Sequence, residues 1–374
     1  MLWIRNVWVL TRKEVSSFLS DRILFGFLIV AFTFLIYNDA VGVNTEVTRA
    51  GVAIVDSDDS TLSRRYRDAL LPPQFKPADR IDRSRIDAVM DAGSYAFVID
   101  IPPRFEADIL RGLQPTLQLN IDATAMTQAG VGGAYIEEIL LAETIDHLRM
   151  DDVMTNAPAV PVTRTMFNPN LDAIWFQAIE ALIEQITLFA LLLAGAAVIR
   201  ERELGTIEHL LVMPLRASEI AAAKVLANGL IVLVAVAIAL ALTVRLVLQV
   251  PVLGSVPLFL LGAALYIFAI TSLGIMLSTV AGTMPQFGLL VVPVFLFLRM
   301  LSGSTSPLDS LPEPLFLLLQ ASPTVHFVTL AQAVLFRDAG FLAVLPQLAV
   351  LAVIGAAFLS IALLRFRRML ALQA

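Results

Sequence analysis

Six stretches of this chain are apolar over enough consecutive positions to read as membrane crossings, and the segments between them differ sharply in character. The runs are Ile23 to Tyr37, Ile174 to Ile199, Ile220 to Leu248, Val256 to Val280, Phe287 to Leu301 and Phe341 to Leu364. A helix needs roughly 20 apolar residues to cross hydrocarbon, so the first and fifth runs reach only with their flanks, Asp21, Arg22 and Asn38 to Val43 in the first case. None of the runs alternates as barrel strands do. Because backbone groups in lipid must satisfy one another internally, each run is predicted as a helix. Ahead of the first run, Trp3, Ile4, Val7, Leu10 and Val15 are interleaved with basic side chains, the pattern of an amphipathic helix lying in the interface. With that segment in front and no small-x-small cleavage site behind, the first run is expected to be a retained helix rather than a signal peptide.

Between the first and second runs the pattern is that of a soluble domain, rich in Asp, Arg and Pro. Gly51 to Val55 reads as a strand, Ser57 to Ser60 as a turn and Leu62 to Leu71 as a helix stopped by Pro72 and Pro73. Arg83 to Ala92 is a second helix ending at Gly93. A strand from Tyr95 to Ile101 and a breaker at Pro102 and Pro103 follow. Phe105 to Arg111 is a short helix closed by Gly112, Thr116 to Ile121 alternates as a strand, and Val131 to Leu148 carries apolar residues at helical spacing. The alternation predicts a small α/β unit. Asp56, Asp58 and Asp59 raise the question of calcium. They lack the Gly and the distal bidentate Glu of an EF-hand loop, and aspartates form turns through side-chain-to-backbone bonds, so a solvated turn is the preferred reading.

Charge then sets direction. Arg5, Arg12, Lys13 and Arg22 precede the first run, Arg200, Arg202, Arg216 and Lys224 surround the second-to-third connection, and Arg365, Arg367 and Arg368 follow the last. An even number of spans puts all three clusters on one side, which the positive-inside rule names the cytoplasm, with both termini there. The soluble domain is then outside, and Trp175 and Phe176 sit at the outer interface. Composition agrees with the membrane: 58% hydrophobic against 16% charged, with a mean hydropathy of +0.80. A net charge of -6 argues against nucleic acid, which needs a basic field. Zero cysteines remove disulfides, thiolate metal sites and cysteine nucleophiles together. His147, His209 and His326 are scattered, and no metal site or catalytic set is expected.

Polar residues inside the spans are candidates for a transport path. Gln177, Glu180 and Glu184 recur at helical spacing in the second span, and ionisable groups in a membrane helix normally face a cavity or a partner. The competing reading is interfacial solvation or helix-to-helix hydrogen bonding. Arg245 and Arg299 lie near the outer ends of the third and fifth spans; snorkelling to headgroups is the first expectation, and a salt bridge to the Glu180 and Glu184 stripe or a contact with an anionic substrate the alternative. After the fifth span, Ser302-Gly303-Ser304-Thr305-Ser306-Pro307 breaks the helix, and Leu315 to Leu319 is apolar again before Ser322 and Pro323. That pattern predicts a re-entrant hairpin over 302–325, whose Ser302, Gly303, Pro307, Pro323 and His326 form either an outer gate or a static lid.

The connection from Arg200 to Pro214 is charged and then amphipathic. Gly205 breaks or hinges a helix, Thr206 caps the next, Ile207, Leu210 and Leu211 share a face, and Pro214 ends it. Such a helix suits docking into another protein's groove, the alternative being a plain connector. The string Glu201-Arg-Glu-Leu-Gly-Thr-Ile-Glu-His-Leu-Leu-Val-Met-Pro214 resembles the loop of ABC-2 type transport permeases, in the multidrug-efflux-like branch of bacterial inner-membrane exporters. Ala53-Ile-Val-Asp56 with Leu62-Ser63, Asp100-Ile-Pro-Pro-Arg-Phe105, Phe167-Asn-Pro-Asn170 and Pro323-Thr-Val-His-Phe327 resemble that branch too, so the likeness covers nearly the whole chain.

The resemblance implies an all-α polytopic membrane protein with six transmembrane helices, of the ABC-2 (type V exporter-like) kind, with an α/β extracytoplasmic domain inserted between helices 1 and 2. Residues 1–21 would be the interfacial helix, 22–42 the first span, 43–172 the external domain and 173–374 the ABC-2 transmembrane domain. Its coupling loop, 200–218, would place Arg200, Glu201, Arg202, Glu203, Gly205, Thr206, Glu208, His209 and Pro214 against a separate cytoplasmic ATPase that holds the ATP and magnesium. A second permease, identical or paralogous, would complete the dimer, and a periplasmic adaptor is a further candidate partner. An internal check agrees with a separate motor. A P-loop needs Gly before its Lys, whereas Lys13, Lys76 and Lys224, the chain's three lysines, follow Arg12, Phe75 and Ala223. The leading expectation is thus an exporter permease in the bacterial inner membrane; the alternative is a mechanical transmitter or sensor acting on a periplasmic partner without passing substrate.

Overall fold

The computed structural model describes residues 2–42, 49–122, 126–148, 172–205, 216–300, 302 and 319–373. The chain divides into two compact units, one of residues 1–42 with 166–374 and one of residues 43–165.

In the first unit, α1 (Leu2–Ser20) leads through Asp21, whose carboxylate caps the next helix at Leu24 N, into α2 (Arg22–Gly42). Then come α7 (Ala173–Glu203), α8 (Ala217–Val247), α9 (Val256–Ser278), α10 (Met284–Met300), α11 (Pro323–Arg337) and α12 (Phe341–Gln373). Among the described residues, five of these helices are long and apolar enough to cross a membrane, the shorter α10 having 17 residues and an internal Pro293. The protein is a polytopic membrane protein. The sequence expectation of six crossings therefore meets five full-length helices and one marginal one.

The share of each apolar stretch that is buried ranks the helices: 72% in α7 and 67% in α9, against 28% in α2 and 22% in α12. The unit is thus built around α7 and α9. They approach so closely at Gly274 that an added Cβ would lie 2.4 Å from Leu191 O. Small residues permit this, and in lipid van der Waals packing is what holds helices together. Two helices carry π segments, Ala31–Leu35 in α2 and Leu240–Val247 in α8. A π turn disturbs the ordinary backbone bonding, and here the two segments meet: Thr243 donates to Phe32 O at 3.0 Å, a bond buried between the helices. The sequence reading ended its hairpin at residue 325 and missed α11. That helix has Pro323 at its start and buries Phe327, Leu330, Ala331 and Val334. The apolar segment Leu315 to Leu318 lies outside the described residues.

The second unit holds β1 (Val52–Asp56), α3 (Thr61–Ala69), β2 (Asp79–Arg80), α4 (Ile86–Asp91), β3 (Phe97–Ile101), α5 (Phe105–Leu110), β4 (Gln118–Ile121) and α6 (Met126–His147). Its sheet runs β2-β1-β3-β4, parallel except for β4. Alternation along the strands sends Val52, Ile54, Phe97, Ile99 and Ile101 to one core, with Leu62, Tyr66, Ile136 and Leu140 from the helices. Ala53, Val55 and Val98 go to the other, with Val89 of α4. The three strands expected from sequence occur with shifted ends; two-residue β2 is too short to leave a pattern. The aspartate turn is built from side-chain-to-backbone bonds, Asp56 Oδ1 accepting from the amides of Asp58 at 3.1 Å and Asp59 at 2.8 Å. Burial of the Tyr66 ring in this core pushes its phenol pKa above the usual value of 10.0.

Candidate functional site

Two polar clusters interrupt the apolar unit. The first ties together the helices on either side of residues 206–215. Arg200 and Arg202 lie in the last turn of α7, where cations oppose the helix dipole, and Gly205 at φ +68° turns the chain away. Glu201 Oε2 lies 2.9 Å from Lys224 Nζ on α8, and Glu201 Oε1 lies 3.8 Å from Lys13 of α1. Arg202 donates to Ala281 O, and Glu203 Oε1 accepts from Met284 N at 2.8 Å, so the end of α7 is also fixed to the turn between α9 and α10. Arg200 stands 3.7 Å from Asp21. On the far side of the loop, Glu219 Oε2 accepts the Arg216 amide at 2.8 Å and closes the start of α8. Asn6 of α1 donates to the other Glu219 oxygen at 3.3 Å.

Lys224 is the centre of this cluster. From sequence it is a flanking positive charge and a lysine outside any P-loop, yet its side chain is 2% exposed. Its ammonium has three acceptors: Glu14 Oε1 at 3.1 Å, Glu201 Oε2 at 2.9 Å and Ala197 O at 3.2 Å. A lysine ammonium carries three donors, so the group is saturated. A cavity of about 340 Å³ adjoins the cluster, lined in part by Lys13, Glu14, Ser17, Arg200, Glu201 and Asn228. Of the residues expected in the coupling loop, Arg200, Glu201, Arg202, Glu203 and Gly205 are at this place; Thr206, Glu208, His209 and Pro214 lie outside the described residues.

The second cluster lies nearer the other end of α7. Arg299 Nε of α10 pairs with Glu184 Oε1 at 2.6 Å, with side-chain exposures of 51% and 12%. Of the expectations for Arg299, the bridge to the acidic stripe is present. Glu180, Glu184, Thr187, Phe295, Arg299, Ser302 and Thr324 share one narrow cleft, which brings residues expected in the pathway beside one expected in the gate. Gln177 is half-buried a turn further along α7, and Arg245 is exposed on α8. Pro323 starts α11, and His326 Nε2 is 2.9 Å from Gln320 O. Gly303 and Pro307 lie outside the described residues.

Thr187 and Thr324 of the cleft belong to a chain of hydroxyls that sequence reasoning did not single out. Tyr266 OH lies 2.6 Å from Thr187 Oγ1 and 3.1 Å from Thr324 Oγ1, joining α9, α7 and α11. Its ring is fully buried and stacked on Phe327 with centroids 4.5 Å apart. A tyrosine in mid-span is a usable signal, because a buried phenol needs a partner. Among the described residues no group of three or more His, Cys, Asp or Glu side chains is placed to hold a metal. Both clusters are ion pairs that join helices. What both offer is fixed charge in an apolar body, which suits holding or moving helices.

Residues 17–364 match the family model described as ABC-2 family transporter protein. The chain is 46% identical over 370 residues to the inner membrane transport permease YhhJ of Escherichia coli strain K12, covering 98% of each chain. It is 28% identical over 379 residues to the probable multidrug ABC transporter permease YbhR of the same strain, covering 97% of this chain and 98% of that one. To the probable multidrug ABC transporter permease YbhS of that strain it is 25% identical over 365 residues, covering 96% and 95%.

Proposed function

The chain belongs to the ABC-2 transporter family, a multi-pass permease component of the inner membrane rather than an enzyme, and on that premise we propose that it exports substrate outward using ATP hydrolysed on a separate subunit. In this reading α2, α7, α8, α9, α10 and α12 are six crossings, α10 completed by its flanks. Both termini and residues 200–218 lie in the cytoplasm, and residues 43–172 lie outside. ATP and magnesium bind the partner ATPase. A second permease, identical or paralogous, closes the pathway along α7, the 302–325 segment forms its outer gate, and the external domain is free to engage a periplasmic adaptor.

One observation carries this reading: the helix ends bracketing residues 206–215 are cross-tied to each other by Glu201 and Lys224 and held to α1 by Glu14 and Asn6. A loop mounted on a flexible end would absorb a push. Mounted on a cross-tied base, it passes the displacement to the spans. The free energy for alternating access must come from contacts the ATPase makes differently with two permease states, and the loop is where such contacts reach the lever. A P-loop, which none of the three lysines of this sequence could complete, is what the partner would supply. The Glu184–Arg299 pair and its cleft support a path along the far part of α7.

The absence of native cysteine makes the test direct. Single cysteines replacing Glu208 and Gln114 should be labelled by an impermeant maleimide from opposite faces, Glu208→Cys only after the cytoplasm is opened. The tagged chain should also retain an ATPase through purification. Labelling of Glu208→Cys in intact cells would overturn the reading, as would failure of vesicles carrying the complex to move any cargo on addition of ATP.

A further inference from the structure

We infer that Lys224 is a positioning residue for the α7–α8 loop, and that through it α1 is a moving part of the transmission rather than a passive anchor; this rests on the loop being the contact with an ATPase. The ammonium is shared among three helices. Two of its three acceptors, Ala197 O and the Glu201 carboxylate, lie one turn apart on α7, and the third, Glu14, lies on α1. Lys224 therefore seats α8 against the last turns of α7 and pins α1 to both.

Charge makes that seat firm. The ammonium is 2% exposed, while Glu14 and Glu201 are 19% and 15% exposed. Pulling Glu14 away leaves its own charge poorly solvated and one ammonium donor unmet, with Glu201 as the remaining counterion, so the three helices are held to move together. Further bonds run the same way along α1: Trp3 Nε1 to Ser218 Oγ at 3.4 Å, Asn6 Nδ2 to Glu219 at 3.3 Å and Thr11 Oγ1 to Ala223 O at 3.5 Å. All of them fall on the first two turns of α8, next to the loop. Displacement entering at 206–215 thus reaches α1 through a rigid joint, and the cavity beside Glu14, Ser17 and Arg200 leaves room on that flank for α1 to rock.

The experiment uses the full chain with its ATPase in lipid vesicles, with a spin label on Val9→Cys, an exposed position of α1. Vanadate-trapped nucleotide should change the label's mobility. In Glu14→Gln, which leaves the Lys224–Glu201 pair intact, the complex should still assemble. The label should no longer respond, and hydrolysis by the complex relative to the ATPase alone should fall about fivefold or more. The conservative Glu14→Asp, which keeps the carboxylate on α1, should recover part of both signals. Glu14→Gln that assembles and keeps both the label response and the hydrolysis ratio overturns the inference, and it decides the matter even if Lys224→Met does not fold. A chain that captures no ATPase fails earlier, at the reading of the loop itself, and takes this inference with it.

Discussion

The two charged clusters of the membrane unit use similar chemistry in opposite ways. Around Lys224 every donor of a 2% exposed ammonium is used, and three helices share it. At Glu184 a short ion pair joins two helices, with its arginine 51% exposed at a cleft. A buried, saturated charge can separate from its partners only by stranding one of them, whereas a half-exposed guanidinium can swing toward water or headgroups. The first arrangement suits a joint and the second a contact that opens.

The sharpest way to break this contrast is to remove each cation. Lys224→Met leaves Glu14 and Glu201 facing each other without their shared cation and should destabilise the protein by about 3–5 kcal/mol, visible as a lowered unfolding temperature in detergent. An unfolding temperature like that of the parent would mean the cluster is not the joint described. Arg299→Met should cost less, about 1–2 kcal/mol, since it takes the cation from one carboxylate, Glu184, rather than leaving two facing each other. Glu184→Gln should cost less again, because the arginine it frees can find solvent. Its effect should fall on transport rather than on stability, and unchanged export at full expression would remove Glu184 from the pathway.

Tyr266→Phe sharpens the comparison from the uncharged side. It deletes the hydroxyl bonds to Thr187 and Thr324 but keeps the ring on Phe327, so a loss of about 1 kcal/mol or less is expected in the same unfolding measurement. The smallest effect is in the other unit. Burial raises the Tyr66 pKa above 10.0, so the neutral phenol's contribution to stability is fully present below 10.0 and is lost only as pH rises through the higher folded value. The ultraviolet difference between the parent and Tyr66→Phe should show this phenol ionising above pH 10; a titration at or below 10 would contradict its packing.

Much of the architecture was legible because hydrophobic pattern is local. The apolar runs became α2, α7, α8, α9, α10 and α12 with ends moved by a few residues, and α1, β1, β3 and β4 fell on the periods that announced them. The stripe of Glu180 and Glu184 and the lone Arg299 stood out as charges in apolar surroundings, and the structure sets them in one cleft. Other features left weaker traces. Lys224 stands at the start of an apolar run, where a lysine reads as an interfacial flank. α11, at 15 residues, is too short for a span and follows a turn-rich stretch, so it was read as the end of a hairpin.

The sequence by itself determined that the chain lives in lipid, since such long runs without polar relief have nowhere else to bury their surface, and that a small α/β unit lies between the first two spans. Motif and family likeness came from short contiguous strings. Only the tertiary structure decided which charges meet. Glu14, Glu201 and Lys224 are distant along the chain, and no local period relates them; their pairing depends on how α1 crosses the ends of α7 and α8. The same holds for the two π segments that meet at Thr243 and Phe32, because the partner that satisfies a disturbed carbonyl is supplied by another helix.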